Sequence, residues 1–302
     1  MRILFVGAAD WANASNRIAR SINAVAGSRI ARVLTLQGPH PFGYDEDRPT
    51  ADEVFAAAPS VEWVISTGDG SYEHLEHVLQ HVPFRRDIKL ATAHVGSAYR
   101  NASNYYNKTD QEYGFLIQFL GGDLFRFNPE NPRAVPYFVP PHQIPSSIVP
   151  LTAPVRIAHS PSSRSIKGTN EILHALSDFH VDLIEKVSFA ECNRRRAAAH
   201  IFIDQLNDLG GYGAAAIEAL ACGCATLSST RNIHPKVCSF YPPPPILDID
   251  HDSLRDTVTD LSTNLSRLQE LRLRSHRWTT EHASPIAVGT YWLQHLSRAA
   301  IR

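Results

Sequence analysis

The sequence has few cysteines, no long apolar run and almost no net charge. Its four cysteines do not have the paired spacing of a zinc site, and they are expected to be reduced thiols of a cytoplasmic protein. No segment approaches the roughly 18 apolar residues that a membrane-spanning helix needs. The opening MRILFVGAADWAN has too short an apolar run for a signal peptide and predicts a strand.

The charges nearly cancel, with 29 Lys and Arg against 30 Asp and Glu. An overall basic field for nucleic acid or anionic lipid is therefore absent, although a local basic patch is still compatible with these counts. P-loop, G-x-S-x-G and H-E-x-x-H motifs are also missing. The D-x-D pairs of LDIDHD at 247–252 could suggest a metal, but they precede a helical segment, and we expect Asp250 or Asp252 to be a cap. No metal site and no cofactor is predicted.

Strand-length apolar runs alternate with helical patterns, and they do so twice. Runs such as ILFV and WVIS are continuous, as in parallel sheets that are buried on both faces. The predicted elements are 2–8, 15–25, 31–36, 51–57, 62–67, 72–82 and 89–95, then 155–160, 169–179, 181–187, 189–200, 201–206, the helix after Gly213 and 225–228, with later helices at 253–273 and 285–298. The pattern predicts an α/β protein of two Rossmann-like, doubly wound domains facing across a cleft.

A proline-rich stretch, VPYFVPPHQIPSSIVPLTAPV, separates the two series. Such density suppresses regular structure and indicates an interdomain connection. The boundary is predicted near Pro150, with domains 1–150 and 151–302. The last helix has the option of packing back onto the first domain.

The stretch DQLNDLGGYGAAAIEALACGCATL at 204–227 joins a strand to an apolar helix through a glycine-rich turn. Glycines let a ligand approach the backbone, and the helix start offers N–H groups and a positive dipole end. The turn therefore suits an anion such as phosphate. It is not a Rossmann dinucleotide fingerprint, because it follows the third strand of its domain and lacks the ribose-binding acid about 20 residues on.

Glu218 is the one charged residue of this apolar helix. A glutamate is almost never fully buried without a partner. Two interpretations stay open: a salt bridge, for example to Arg231, or hydrogen bonds to the ribose hydroxyls of a nucleotide.

A second cationic turn lies upstream in HSPSSRSIKGT, where Arg164 and Lys167 precede a helix that begins near Gly168 or Thr169. Two cations at a strand's carboxyl end beside a helix start make an anion site. The alternative is a solvated basic loop. Because both turns follow strands of one domain, the anion-binding interpretation is favoured.

The two turns together resemble the donor half of retaining glycosyltransferases with the GT-B fold, the group 1 or family 4 class. HSPSSRSIKGT at 159–169 and DQLNDLGGYGAAAIEALACG at 204–223 are similar to the paired motifs of some members, although the loop between DQL and YG is one residue longer. The likeness covers most of 155–300. AHVGSAYR at 93–100 and AVPYFVPP at 134–141 echo the first half more faintly.

The resemblance implies a glycosyltransferase that moves a sugar from a UDP- or GDP-linked donor, with retention and without metal. Arg164 and Lys167 would hold the diphosphate, Gly211 and Gly213 would admit phosphate or sugar, and Glu218 would bind ribose. The remaining donor-side candidates are Ser160, Gly168, Gly210 and Tyr212. Many relatives carry a second glutamate at the position that Gly210 occupies in this chain. This chain therefore has no carboxylate there to bind the donor sugar.

Acceptor-side candidates follow strands of the first domain: Asp10, Trp11 and Asn13 after the first strand, and Asp69 in TGDGS. For Asp69 the role of a turn residue is the favoured interpretation. His94 in AHVGS is the best candidate for a catalytic polar group near the sugar, and the alternative is a satisfied core histidine.

Three alternatives stay open. The change at Gly210 could leave a nucleotide-sugar-binding protein without turnover. An enzyme of the same fold could act as an epimerase on a sugar nucleotide. The acceptor could also be a hydroxylated DNA base rather than a saccharide, a lipid-linked glycan or a small molecule, which would need a basic groove.

Overall fold

The computed structural model describes residues 1–35, 43, 49–68, 72–207 and 212–301, with all of their side chains except those of Trp11 and Ser97. Two compact units are present: Met1–Val139 with Pro285–Arg302, and Pro140–Ser284. The division precedes the predicted boundary at Pro150. Carbonyls of the proline-rich stretch bind the second unit, where His276 Nε2 lies 2.8 Å from the Pro145 oxygen.

The first unit contains a six-stranded sheet in the order β2-β1-β3-β4-β5-β6, with every pair parallel. The strands are β1 (Ile3–Gly7), β2 (Ala31–Thr35), β3 (Trp63–Gly68), β4 (Lys89–His94), β5 (Ile117–Gly121) and β6 (Ala134–Tyr137). The helices before the second unit are α1 (Ala14–Ala26), α2 (Ala51–Ala57), α3 (Tyr72–His81) and α4 (Gly96–Glu112). The sequence pattern did not predict α4, β5 or β6. The helix α4 was missed because it carries mostly polar residues.

The last helix of the chain packs on the first unit. Trp292 stacks on Phe119 with ring centroids 3.7 Å apart, and its ring is fully buried. At Gly289 an added Cβ would lie 2.1 Å from the Ser21 carbonyl oxygen, so the backbones of this helix and α1 approach closely because glycine has no side chain.

The second unit has a five-stranded sheet in the order β11-β10-β9-β7-β8, whose strands are all parallel. The strands are β7 (Ile157–His159), β8 (Val181–Leu183), β9 (Ile201–Ile203), β10 (Ala225–Ser228) and β11 (Leu247–Asp248). Its helices are α5 (Arg164–Lys167), α6 (Thr169–Ala175), α7 (Phe189–Ala197), α8 (Ala214–Ala221), α9 (Leu254–Thr263) and α10 (Leu265–His282), and α11 (Pro285–Ile301) is the helix that returns to the first unit.

Both faces of this second sheet are buried. Ile157, Ile201 and Leu227 face one apolar cluster, while the neighbouring Ala158 and Phe202 face another. This two-sided burial explains why the strands read as continuous apolar runs. The predicted α/β class with two parallel sheets is confirmed.

One predicted helix is interrupted. The segment 253–273 forms α9 and α10, which meet at Asn264, whose side-chain oxygen accepts the Arg267 N–H at 3.1 Å. Asparagine favours such caps because its side chain replaces a missing backbone acceptor. In the described part of the chain, the helices include none with the length and apolar content needed to cross a membrane.

Candidate functional site

The strand order of the second unit determines where a ligand can enter. β7 has β8 on one side and β9 on the other, so successive crossovers leave in opposite directions. In doubly wound sheets this reversal opens a crevice at the carboxyl ends of the two strands. The segments that follow β7 and β9 are the two turns singled out from the sequence.

Lys167 and Asp204 connect these turns directly. The Lys167 ammonium lies 2.8 Å from Asp204 Oδ1 and 3.1 Å from Gln205 Oε1, and all three side chains are buried. The other Asp204 oxygen, Oδ2, accepts the Gly213 N–H at 3.2 Å. A Cβ on Gly213 would lie only 3.4 Å from Lys167 Nζ. The ammonium therefore lies beside the start of α8.

Backbone contacts bring the same turns together. The Leu206 N–H donates to the Lys167 carbonyl at 3.2 Å. Gly168 has φ +67°, a left-handed conformation that favours glycine, and its missing Cβ would lie 3.1 Å from Asn207 Oδ1. Both the conformation and the close approach require glycine at this position.

Arg164 lies on the other side of β7. It begins the short helix α5, where the sequence predicted a loop, and its guanidinium donates to Glu185 through Nε at 2.9 Å and Nη2 at 2.7 Å. This fork of hydrogen bonds raises the pKa of Arg164 and lowers that of Glu185. The Arg164 side chain is 50% exposed, so an anion in the crevice can reach it.

Glu218 is buried in α8, and its Oε1 accepts the backbone N–H of His142 at 3.0 Å. Arg231 instead forms an ion pair with Asp250. The predicted alternative of a Glu218–Arg231 salt bridge is therefore wrong. The backbone N–H of His142 is therefore one donor that orients the carboxylate.

His159 ends β7 and is fully buried, and the partly buried Ser160 follows it. His159 Nδ1 lies 2.8 Å from the Ile203 carbonyl and Nε2 lies 2.9 Å from Thr169 Oγ1. A carbonyl only accepts, so Nδ1 carries the proton, and burial lowers the pKa of the ring and keeps it neutral. The ring thereby ties β7, β9 and α6 together beneath the two turns.

The remaining donor-side candidates have different positions. Gly210 and Gly211 lie outside the described residues. Tyr212 is buried, and its hydroxyl donates to Tyr241 at 3.3 Å. Desolvation raises the pKa of Tyr212 to about 12.

In the first unit the strand order reverses between β1 and β3, and the acceptor-side candidates follow these strands. Asp10 is buried and accepts the N–H groups of Ser15 at 2.7 Å and Asn16 at 2.9 Å, so its carboxylate caps α1. Desolvation raises the pKa of Asp10. Asn13 is buried with φ 55°, Trp11 begins the same short 3-10 turn, and Asp69 lies outside the described residues.

His94 ends β4 and lies inside the first unit. Nε2 is 2.8 Å from Asp110 Oδ2, which also accepts from Gln118, and the ring lies 4.5 Å from the Tyr99 ring. The side chain is only 2% exposed. These are the surroundings of the satisfied core histidine that was the alternative interpretation from the sequence.

Solved structures of known proteins are similar to this architecture over nearly the whole chain. An alpha-glucosyltransferase solved with UDP-glucose and DNA containing an abasic site is similar with a TM-score of 0.70 at 10% identity, covering 99% of both chains. The chain has the GT-B fold.

Two further GT-B structures are similar. A glycosyltransferase from Rickettsia africae has a TM-score of 0.65 at 12% identity, covering 99% of this chain and 98% of that one. HepE from Anabaena, solved in complex with UDP, has a TM-score of 0.63 at 10% identity, covering 99% and 100%. No family model matches the sequence, and no curated protein matches it.

Three carboxylates of this GT-B chain were missed from the sequence as site residues: Asp204, Glu185 and Asp110. Asp204 stood in the quoted DQL motif, which was a usable signal. Glu185 lies 21 residues from Arg164, and only the β8-β7 pairing makes them neighbours. Asp250 meets the expectation of a cap, since its Oδ1 accepts the Ser253 N–H at 2.8 Å just before α9.

Proposed function

We propose that this chain is a glycosyltransferase that moves a sugar, most simply a hexose, from a nucleotide-diphosphate sugar to an acceptor hydroxyl. One observation carries the proposal: the Lys167 ammonium lies beside Gly213 at the start of α8, at the switch point of a GT-B second unit. A buried cation and a helix start at one point are suited to a diphosphate. The same turns carry the motifs that resemble the donor half of family 4 enzymes.

The diphosphate is proposed to lie between Arg164 and Lys167. Within the described residues, two of the three Lys167 N–H donors point to Asp204 and Gln205. The third donor is proposed to bind a phosphate oxygen. Arg164 is proposed to exchange part of its pairing with the partly buried Glu185 for the second phosphate. Gly168 lets Asn207 approach the turn after β7, and Gly213 lets the Lys167 ammonium approach the start of α8. On the resemblance, Gly210 and Gly211 are proposed as further donor-side residues.

Glu218 is proposed to accept hydrogen bonds from the ribose hydroxyls. It lies about one helical turn beyond Gly213, and its Oε1 accepts the His142 N–H at 3.0 Å. A carboxylate is the acceptor that two neighbouring hydroxyls bind best. The base is proposed to be uracil or guanine.

Transfer breaks the bond between the anomeric carbon and the diphosphate oxygen, so negative charge grows on the departing diphosphate. Arg164, Lys167 and the α8 start would stabilise that charge, in the place of a metal ion. For a retaining, front-face course, the leaving phosphate oxygen takes the acceptor's proton and no side-chain nucleophile is needed. Much of the rate enhancement would then come from holding donor and acceptor in position.

The first unit is proposed to bind the acceptor through the loops after β1 and β3, which contain Trp11, Asn13 and Asp69. Asp10 shapes the first of these loops by capping α1. His94 is proposed to position the end of β4 from within the core, instead of touching the sugar. The acceptor is a saccharide, a lipid-linked glycan, a small molecule or a modified DNA base.

A second candidate is a nucleotide-sugar-binding protein without turnover. It is favoured by Gly210, which stands where many family members have a sugar-gripping glutamate. The distinguishing experiment incubates the protein with radiolabelled UDP- and GDP-sugars and follows the release of free sugar and nucleoside diphosphate. Release above the level of a Lys167→Ala control supports the transferase. Tight binding with no release supports the binding protein, and no binding of either nucleotide contradicts both.

Replacing Arg164 with alanine is expected to weaken UDP or GDP binding about tenfold, because one charge-assisted contact is lost. The melting temperature should change little, since the Arg164–Glu185 pair is exposed. Isothermal titration and thermal unfolding measure the two effects. The matched variant Glu185→Gln frees the arginine and should tighten binding. Weaker binding in both variants would show that the pair acts only by supporting the turn.

A further inference from the structure

Arg196 is a cation whose surroundings differ from those of the other two cations near the end of β7. It is the third arginine of the run at 194–196 in the last turn of α7. Arg194 pairs with Glu191 and Arg195 with Asp182 on the surface. Arg196 is instead buried, with 3% exposure, and its guanidinium lies 5.4 Å from the Phe202 ring.

The contacts of Arg196 in the described part of the chain include no carboxylate. Nη1 donates to Asn193 Oδ1 at 2.7 Å, Nη2 to Ser160 Oγ at 3.0 Å and to Cys192 Sγ at 3.2 Å, and Nε has no acceptor there. A buried charge without a counter-ion is costly to folding. An anion bound nearby would offset that cost.

The direction of the side chain brings the charge toward the turn after β7. Side chains of a helix point back toward its N-terminus, and α7 begins after the carboxyl end of β8. The guanidinium accordingly meets Ser160, the residue that follows β7. Ser160 accepts from Arg196, so its own hydroxyl proton is left to donate to a ligand in the crevice.

Arg164 and Lys167 each face a carboxylate, Glu185 and Asp204. Of the three cations, Arg196 is therefore the one whose positive charge no contacting carboxylate offsets within the described residues. We infer that Arg196 is a positioning residue that makes the site selective for a diphosphate, by supplying buried positive charge and by directing the Ser160 hydroxyl to a phosphate oxygen. The inference rests on the proposed donor site.

The test compares UDP and UMP binding by isothermal titration in the wild type, Arg196→Met and Arg196→Lys. Arg196→Met removes the charge and keeps an apolar stem, and it is expected to weaken UDP binding about tenfold while UMP, with less phosphate charge, loses much less. Its melting temperature should stay equal or rise, because an unpaired buried charge is gone. Arg196→Lys keeps the charge and should retain most of the UDP preference.

Ser160→Ala provides the second measurement. In the wild-type background it should weaken UDP binding, and in the Arg196→Met background it should add little, since the two residues act as one unit. Three results would show that Arg196 is purely structural and would overturn the inference. They are equal losses of UDP and UMP affinity, a lower melting temperature in Arg196→Met, and fully additive effects of Ser160→Ala and Arg196→Met on UDP binding.

If the wild type binds neither UDP nor GDP, the proposed donor site itself is wrong. If it binds them and Arg196→Met binds equally well, only the role of Arg196 is wrong.

Discussion

Replacing Lys167 with alanine is expected to weaken UDP or GDP binding by about 100-fold, the largest effect of any single substitution in the site. The variant loses the ammonium that would contact the diphosphate. It also leaves the Asp204 carboxylate, which is 1% exposed, without its cation at 2.8 Å. That unpaired negative charge would repel the phosphates. Isothermal titration against the wild type measures the loss.

The same substitution should also lower the free energy of unfolding by about 3 kcal/mol, because it breaks a buried ion pair by removing one partner. Urea denaturation measures this term. A double variant, Lys167→Met with Asp204→Asn, removes both charges and should recover most of the stability without recovering nucleotide binding. Nucleotide affinity that returns together with stability would mean that Lys167 only supports the fold. Unchanged affinity in Lys167→Ala would contradict the assignment directly.

Glu218→Gln should remove the preference of the site for a nucleotide with intact ribose hydroxyls. The amide keeps an oxygen that can accept the His142 N–H, now 3.0 Å from Oε1, so the backbone contact is preserved while the charge is lost. The wild type is expected to bind UDP at least about tenfold more tightly than 2′,3′-dideoxy-UDP, since hydrogen bonds to a charged group contribute about 1.5–3 kcal/mol. In Glu218→Gln the two ligands should bind within about threefold of one another.

Glu171→Gln is the matched control, since Glu171 is an exposed carboxylate on α6 of the same unit. It should leave both affinities and their ratio unchanged. If Glu218→Gln lowers both affinities equally and keeps the ratio, the carboxylate supports the α8 region and does not bind the sugar of the nucleoside. A ratio near one in the wild type would also exclude the ribose contact.

Much of the second unit was predictable because its signals are local. Continuous apolar runs indicated parallel strands, and the glycines between β9 and α8 indicated a turn that a ligand could approach. The interruption at Asn264 and the short helix at Arg164–Lys167 were missed, because a single cap or a four-residue helix leaves no periodic signal. In the first unit, α4 was missed because it carries mostly polar residues.

The partners of the candidate residues were the least predictable feature. The sequence identified Arg164, Lys167 and Glu218 as candidates by residue type and place in a turn. It did not indicate that Lys167 meets Asp204, 37 residues away, or that Glu218 meets the His142 N–H, 76 residues away. His94 is the opposite case, because a histidine at a strand end looks accessible from the sequence, whereas in the structure α4 places Asp110 against it.

The amino-acid sequence by itself determined the alternation of strands and helices, the parallel sheets and the positions of the two turns that are proposed to bind a diphosphate. These depend on short-range periodicity and on backbone preferences of glycine and proline, which act within a few residues. Tertiary structure alone decided that β7 lies between β8 and β9. That order places Arg164 beside Glu185 in the loop after β8 and Lys167 beside Asp204 in the loop after β9. It also buries Arg196 next to Ser160. Strand order depends on how whole elements pack, and no local pattern records it.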